Sequence, residues 1–144
     1  MHTHLFLAAA SVLMLAGAPV AAHHAFAAEF DSSKPVTLKG TVLKMEWVNP
    51  HGWLHMEVKG PDGKAVAWAV EGGAPNALLR RGWNRNSVPP GTQLTVEGFR
   101  AKDGSNRANG REATLPNGQK LFIGSSGTGA PADGRDQSER SEKK

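Results

Sequence analysis

The chain has 144 residues, a formal net charge of +4 and no cysteine. That length supports one small domain. Without cysteine, disulfides and thiolate metal sites are excluded, and the mild positive balance permits anionic partners such as lipid headgroups, envelope polymers or nucleic acid without choosing among them.

In chain order, the first feature is the apolar run LFLAAASVLMLA, Leu5 to Ala16. It is shorter than the roughly 20 residues that a membrane-spanning helix needs. It reads as the apolar region of a secretory signal peptide, although Met1-His2-Thr3-His4 before it carries no Lys or Arg. Signal cleavage asks for small residues at the last and third-last positions before the cut. Val20 and Ala22 meet this, whereas Pro19 spoils the earlier positions, and Ala25-Phe26-Ala27 lies far beyond the run. The expected signal is residues 1–22, the expected mature start is His23, and the expected location is periplasmic or secreted. Every Lys, Arg, Asp and Glu follows Ala22, so the mature chain keeps the full charge.

Val36 to Val48 alternates apolar and polar, but its apolar parity switches from Val36, Leu38 and Val42 to Leu43, Met45 and Trp47. A bulge, or a bend near Gly40, accounts for such a switch in one long first strand. Asn49-Pro50-His51-Gly52 has turn composition. Trp53 to Lys59 is a second strand with Leu54, Met56 and Val58 facing in and Trp53, His55 and Glu57 facing out. After the Pro61-Asp62-Gly63 turn, Ala65 to Glu71 is a third strand with Val66, Trp68 and Val70 on the inner face.

Pro75 to Trp83 reads as a short helix, opened by proline, stopped at Gly82 and held by Leu78 and Leu79. Thr92 to Ala101 is a fourth strand, and Asp103-Gly104 opens a loop. Arg111 to Leu115 and Lys120 to Ile123 are short strands around the Pro116-Asn117-Gly118 turn. The tail from Ser125 to Lys144 has no large apolar residue and is expected to be disordered. The expected organisation is an all-β domain over residues 23–124 with one short helix, a small OB-like Greek-key β-barrel. Another small barrel or sandwich has the same element order.

The pieces HHAF, VTLKGTV, WVNPHGWLHMEV, WAVEGGAPNALLRRGW and PPGTQLTVEGFRAKDG together resemble the bacterial family called domain of unknown function 6152. The resemblance runs from about His23 to Ile123. It implies a small secreted, β-rich domain and carries no activity or catalytic residue with it.

Four histidines survive signal removal: His23, His24, His51 and His55. Neutral imidazole suits copper, zinc or nickel. An N-terminal His23 chelates through its amine and ring nitrogen, and a third nitrogen from His51 or His55 completes a T-shaped set suited to Cu(II). On one extended strand residues four apart lie roughly 13 Å apart, so His51, in a turn, is the better partner and His55 the weaker. The alternative is that His23 and His24 belong to a solvated terminus, His51 shapes its turn and His55 faces solvent.

Trp53, with Arg80, Arg81 and Arg85 after the helix, forms a second candidate, a face for an anionic envelope component. Trp47, Trp68 and Trp83 are expected in or at the edge of the core. Arg100, Lys102, Arg107 and Arg111 are expected as a solvated rim, and Glu57 and Glu71 as solvated strand residues. No Gly-x-Ser-x-Gly elbow and no Gly-x-x-x-x-Gly-Lys-[Ser/Thr] loop occurs. The expectation is a monomeric or weakly associating binding module, not an enzyme. Its leading ligand is copper or another divalent metal, and its alternative role is a scaffold for an envelope polymer or protein. Export makes nucleic acid an unfavoured partner.

Overall fold

The structure, a computed structural model, describes residues 26–124. The expected signal, His23, His24 and the hydrophilic tail therefore lie outside the described residues. A helical turn, α1, occupies residues 26–29. It leads into β1 (Phe30–Glu46), β2 (Trp53–Lys59) and β3 (Ala65–Glu71). The helix α2 (Pro75–Arg80) follows, then β4 (Gln93–Ala101), β5 (Arg107–Thr114) and β6 (Lys120–Phe122). The expected all-β class with a short helix is what the structure shows, with α1 as an additional helical turn.

The strands pair antiparallel as β1–β2, β2–β3, β1–β4, β4–β5 and β5–β6. A short parallel contact joins β3 to β5 at Ala69/Arg107, Val70/Ala108 and Glu71/Asn109. The pairings thus run in a ring, β1–β2–β3–β5–β4 and back to β1. The long first strand belongs to both sides of this ring, and its sequence shows how. Its register against β2 shifts between Val42 and Lys44. Leu43 is the extra residue and is 44% exposed, while Leu38 and Val42 before it are buried. Beyond it, Met45 and Trp47 pack against the core. The parity switch is therefore a bulge. Gly40 has a separate role: a Cβ there would stand 2.1 Å from the Glu57 carbonyl oxygen, so only glycine permits this close approach of β1 and β2.

The core lies inside the ring, where Leu54, Met56 and Val70 are fully buried. The helix α2 ends two residues before Gly82, whose φ of 93° is a glycine conformation. The Gly82 N–H bonds the Leu79 carbonyl at 3.3 Å and the Trp83 N–H bonds that of Leu78 at 3.0 Å. This is a Schellman motif, and it brings Trp83 and Leu78 together in the core. Because that turn fixes which face points inward, Leu78 is buried and Leu79 is 51% exposed, correcting the expectation that both pack inward.

Trp83 is buried and its Nε1–H donates to the Phe122 carbonyl at 2.9 Å. Trp68 is half-buried at the core's edge, with the Arg100 guanidinium 5.2 Å from its ring centre. The fifth strand starts at Arg107, four residues before the expected start at Arg111. Asn109 and Gly110 are poor strand formers. They are held extended by β3 and β4 on either side. Among the described residues no helix is long and apolar enough to cross a membrane.

Candidate functional site

The loop between β1 and β2 carries His51, and three glycines place it. The Gly52 N–H bonds the Gly73 carbonyl at 2.9 Å, Gly72 N–H bonds Gly52 at 2.8 Å, and Gly73 N–H bonds the Ile123 carbonyl at 2.8 Å. A Cβ on Gly72 would lie 3.0 Å from the Ile123 carbonyl oxygen. The backbones after β3 and before β2 are thus laced together at a spacing that a side chain on Gly72 or Gly52 would crowd. As a result His51 Nδ1 is 3.1 Å from the Gly72 carbonyl oxygen and 3.5 Å from Glu71 Oε1. A carbonyl only accepts, so this bond puts the ring proton on Nδ1 and leaves the Nε2 lone pair available.

Glu71 is not the solvated strand residue expected. Its side chain is only 13% exposed. Burial pushes its carboxyl above the ordinary value; His51 and Arg107 oppose that rise, and Glu29 adds to it. Arg107 ties the neighbourhood together. Its Nη2 donates to Glu29 Oε2 at 2.8 Å. Its guanidinium lies 5.8 Å from the Phe30 ring centre and 5.4 Å from that of Trp53. Arg107, with its side chain 37% exposed, thus bridges the ring closure to the start of β1 from the rim. Beside it Asn109, the parallel partner of Glu71, is 1% exposed, and its Oδ1 has no hydrogen-bond partner.

The start of the described chain docks on the same region. Phe26 stacks on Phe30 with ring centres 5.9 Å apart and meets Phe99 edge-on at 5.8 Å. The Lys102 N–H bonds the Glu29 carbonyl at 2.9 Å, and its ammonium reaches the Ala27 carbonyl. The segment next to His23 and His24 is thereby fixed against the ring.

The other candidates fall elsewhere. His55 is on the outer face of β2, and its Nε2 is 3.5 Å from Glu46 Oε2. Glu46 also accepts from Lys44, the main reason its carboxyl lies below the ordinary value. Trp53 meets Arg107, and the arginines in and after the helix have other neighbours. Arg81 lies 4.4 Å from the Phe122 ring centre, Arg85 lies 5.9 Å from that of Trp47, and Arg80 is an exposed residue of α2. Among the described residues no three His, Cys, Asp or Glu side chains are grouped to hold a metal ion. His51 stands apart from any such group, and His23 and His24 lie outside the described residues.

Sequence reasoning missed Glu71, Arg107, Glu29 and Asn109. The signal within reach was the pair of glycines after Glu71, which marks a close backbone approach at that strand end.

No curated protein and no solved structure matches the chain. A model described as a family of unknown function, DUF6152, matches residues 10–112, ending two residues before the end of β5. That match covers well over half of the chain, and the protein belongs to this family.

Proposed function

We propose that the protein is an exported, non-enzymatic binding module that takes a divalent metal, copper above all, between its processed N-terminus and His51. The observation that supports this reading is the Nδ1 contact of His51 with the Gly72 carbonyl. Metal-ligating histidines hold their second ring nitrogen in this way, which fixes the tautomer and aims the free nitrogen. The Glu71 carboxylate stands 3.5 Å from the same ring nitrogen.

The amine and ring nitrogen of His23 supply the remaining donors, with His24 beside them. His23 stands three residues before Phe26, a reach of roughly 10 Å, and the docked α1 segment delimits where that reach begins. Imidazole and amine nitrogens suit Cu(II). The histidines at residues 51 and 55 separate the reading from general surface affinity. In a copper titration of the processed protein, His51→Ala weakens binding by about tenfold or more, whereas His55→Ala, beside Glu46, leaves it unchanged. Equal losses in the two variants contradict the proposal.

A further inference from the structure

We infer that the outer face of β1, β2 and β4 carries a second site, a groove for an acidic oligosaccharide. The groove has a volume of about 660 Å³ and is bounded at one end by Thr114, Leu115 and Pro116. That size is within the range of ligand sites. The strand registers explain its lining. Thr41 is opposite both Glu57 and Gln93, Lys39 is opposite Thr95, and Thr95 is opposite Thr114. Polar side chains of four adjacent strands therefore fall into rows across one face.

Lys39 and Lys59 line the groove and are exposed. Neither has an ion-pair or side-chain hydrogen-bond partner among the described residues, in contrast to Lys120, which is bound by Glu112 at 2.7 Å. Gly40 also lines the groove. Gln93 Nε2 donates to Thr41 Oγ1 at 2.9 Å, which leaves the Thr41 hydroxyl hydrogen to donate outward.

This lining selects its ligand. Two free ammoniums match carboxylates, and a threonine-glutamine-glutamate set matches ring hydroxyls as both donor and acceptor. Single-stranded nucleic acid fits less well because the groove has no aromatic ring on which a base can stack. The groove is separate from the His51 region: none of His51, Glu71 or Arg107 lines it.

The test is calorimetric titration of the full processed chain with a galacturonate oligomer, a neutral glucose oligomer of equal length and a single-stranded oligonucleotide. The galacturonate oligomer is expected to bind and the neutral one not. The double variant Lys39→Gln, Lys59→Gln is expected to reduce affinity about tenfold or more. Both lysines are exposed, so an unchanged melting temperature verifies its fold. Absence of galacturonate binding, equal binding of the neutral oligomer, tighter binding of the oligonucleotide, or an unchanged affinity in the double variant overturns the inference. Copper affinity of the double variant is expected to equal that of the parent, which keeps this result distinct from the metal reading.

Discussion

The carboxylate of Glu71 stands 3.5 Å from Nδ1 of His51, at the strand end where β3 meets β5. The contact is built from parts of the chain far apart in sequence. Glu29 and Arg107 act on the same carboxyl from the first strand region and the fifth strand. Its charge is consequently costly in the folded state.

A pH dependence follows. Burial is the main reason the Glu71 carboxyl is raised above its ordinary value of 4.5. A raised carboxyl favours the fold when protonated, and that contribution is lost as pH rises through the folded value. Glu71→Gln mimics the neutral form. The variant should melt at or above the parent at neutral pH, and the difference should close as pH falls toward 4.5. Thermal melts across that window check it. A difference that widens on acidification contradicts the assignment.

The two core-side tryptophans should separate in cost. Trp83 is 1% exposed and hydrogen-bonded to Phe122, so Trp83→Ala should cost about 3–5 kcal/mol. Trp68 is only half-buried, and its truncation should cost about 1–2 kcal/mol. Denaturant midpoints of the two variants give the comparison. Equal losses would show that Trp68 is packed as deeply as Trp83.

Gly40 should tolerate no side chain. Gly40→Ala places a methyl against the Glu57 carbonyl oxygen at 2.1 Å, and the strands must part to admit it. The expected loss is about 3 kcal/mol or more, in the range of severe core strain. By contrast Gly63→Ala meets open space and bears only its positive φ of 77°, with an expected loss of about 1 kcal/mol. Chemical denaturation ranks the two, and a reversed order contradicts the register of β1 on β2.

Much of this architecture was legible because local alternation survives in the fold. Leu54 and Met56 point inward as their spacing indicates, and the parity change in β1 announces the bulge at Leu43. What was not legible depends on distant neighbours. Asn109 and Gly110 form strand because β3 and β4 hold them, against their own preference. Glu71 alternates as an outward residue, yet it is covered in the region of Trp53, Arg107 and Glu29. The placing of His51 in a turn was visible, but the carbonyl that fixes its tautomer comes from the far end of β3.

Processing sets the condition for the metal site. Val20 and Ala22 are the small-residue pair next to the apolar run. Intact mass of exported protein should correspond to a start at His23. A start at Ala28 removes both histidines and ends the proposed site.

The most direct measurement is a copper titration of the chain beginning at His23 against the same chain with one added N-terminal methionine, in identical buffer. The extension removes the amine from its chelating position and leaves every side chain in place. The account predicts that the chain beginning at His23 binds one Cu(II) about tenfold or more tightly than the extended one. Equal affinities for the two chains contradict it.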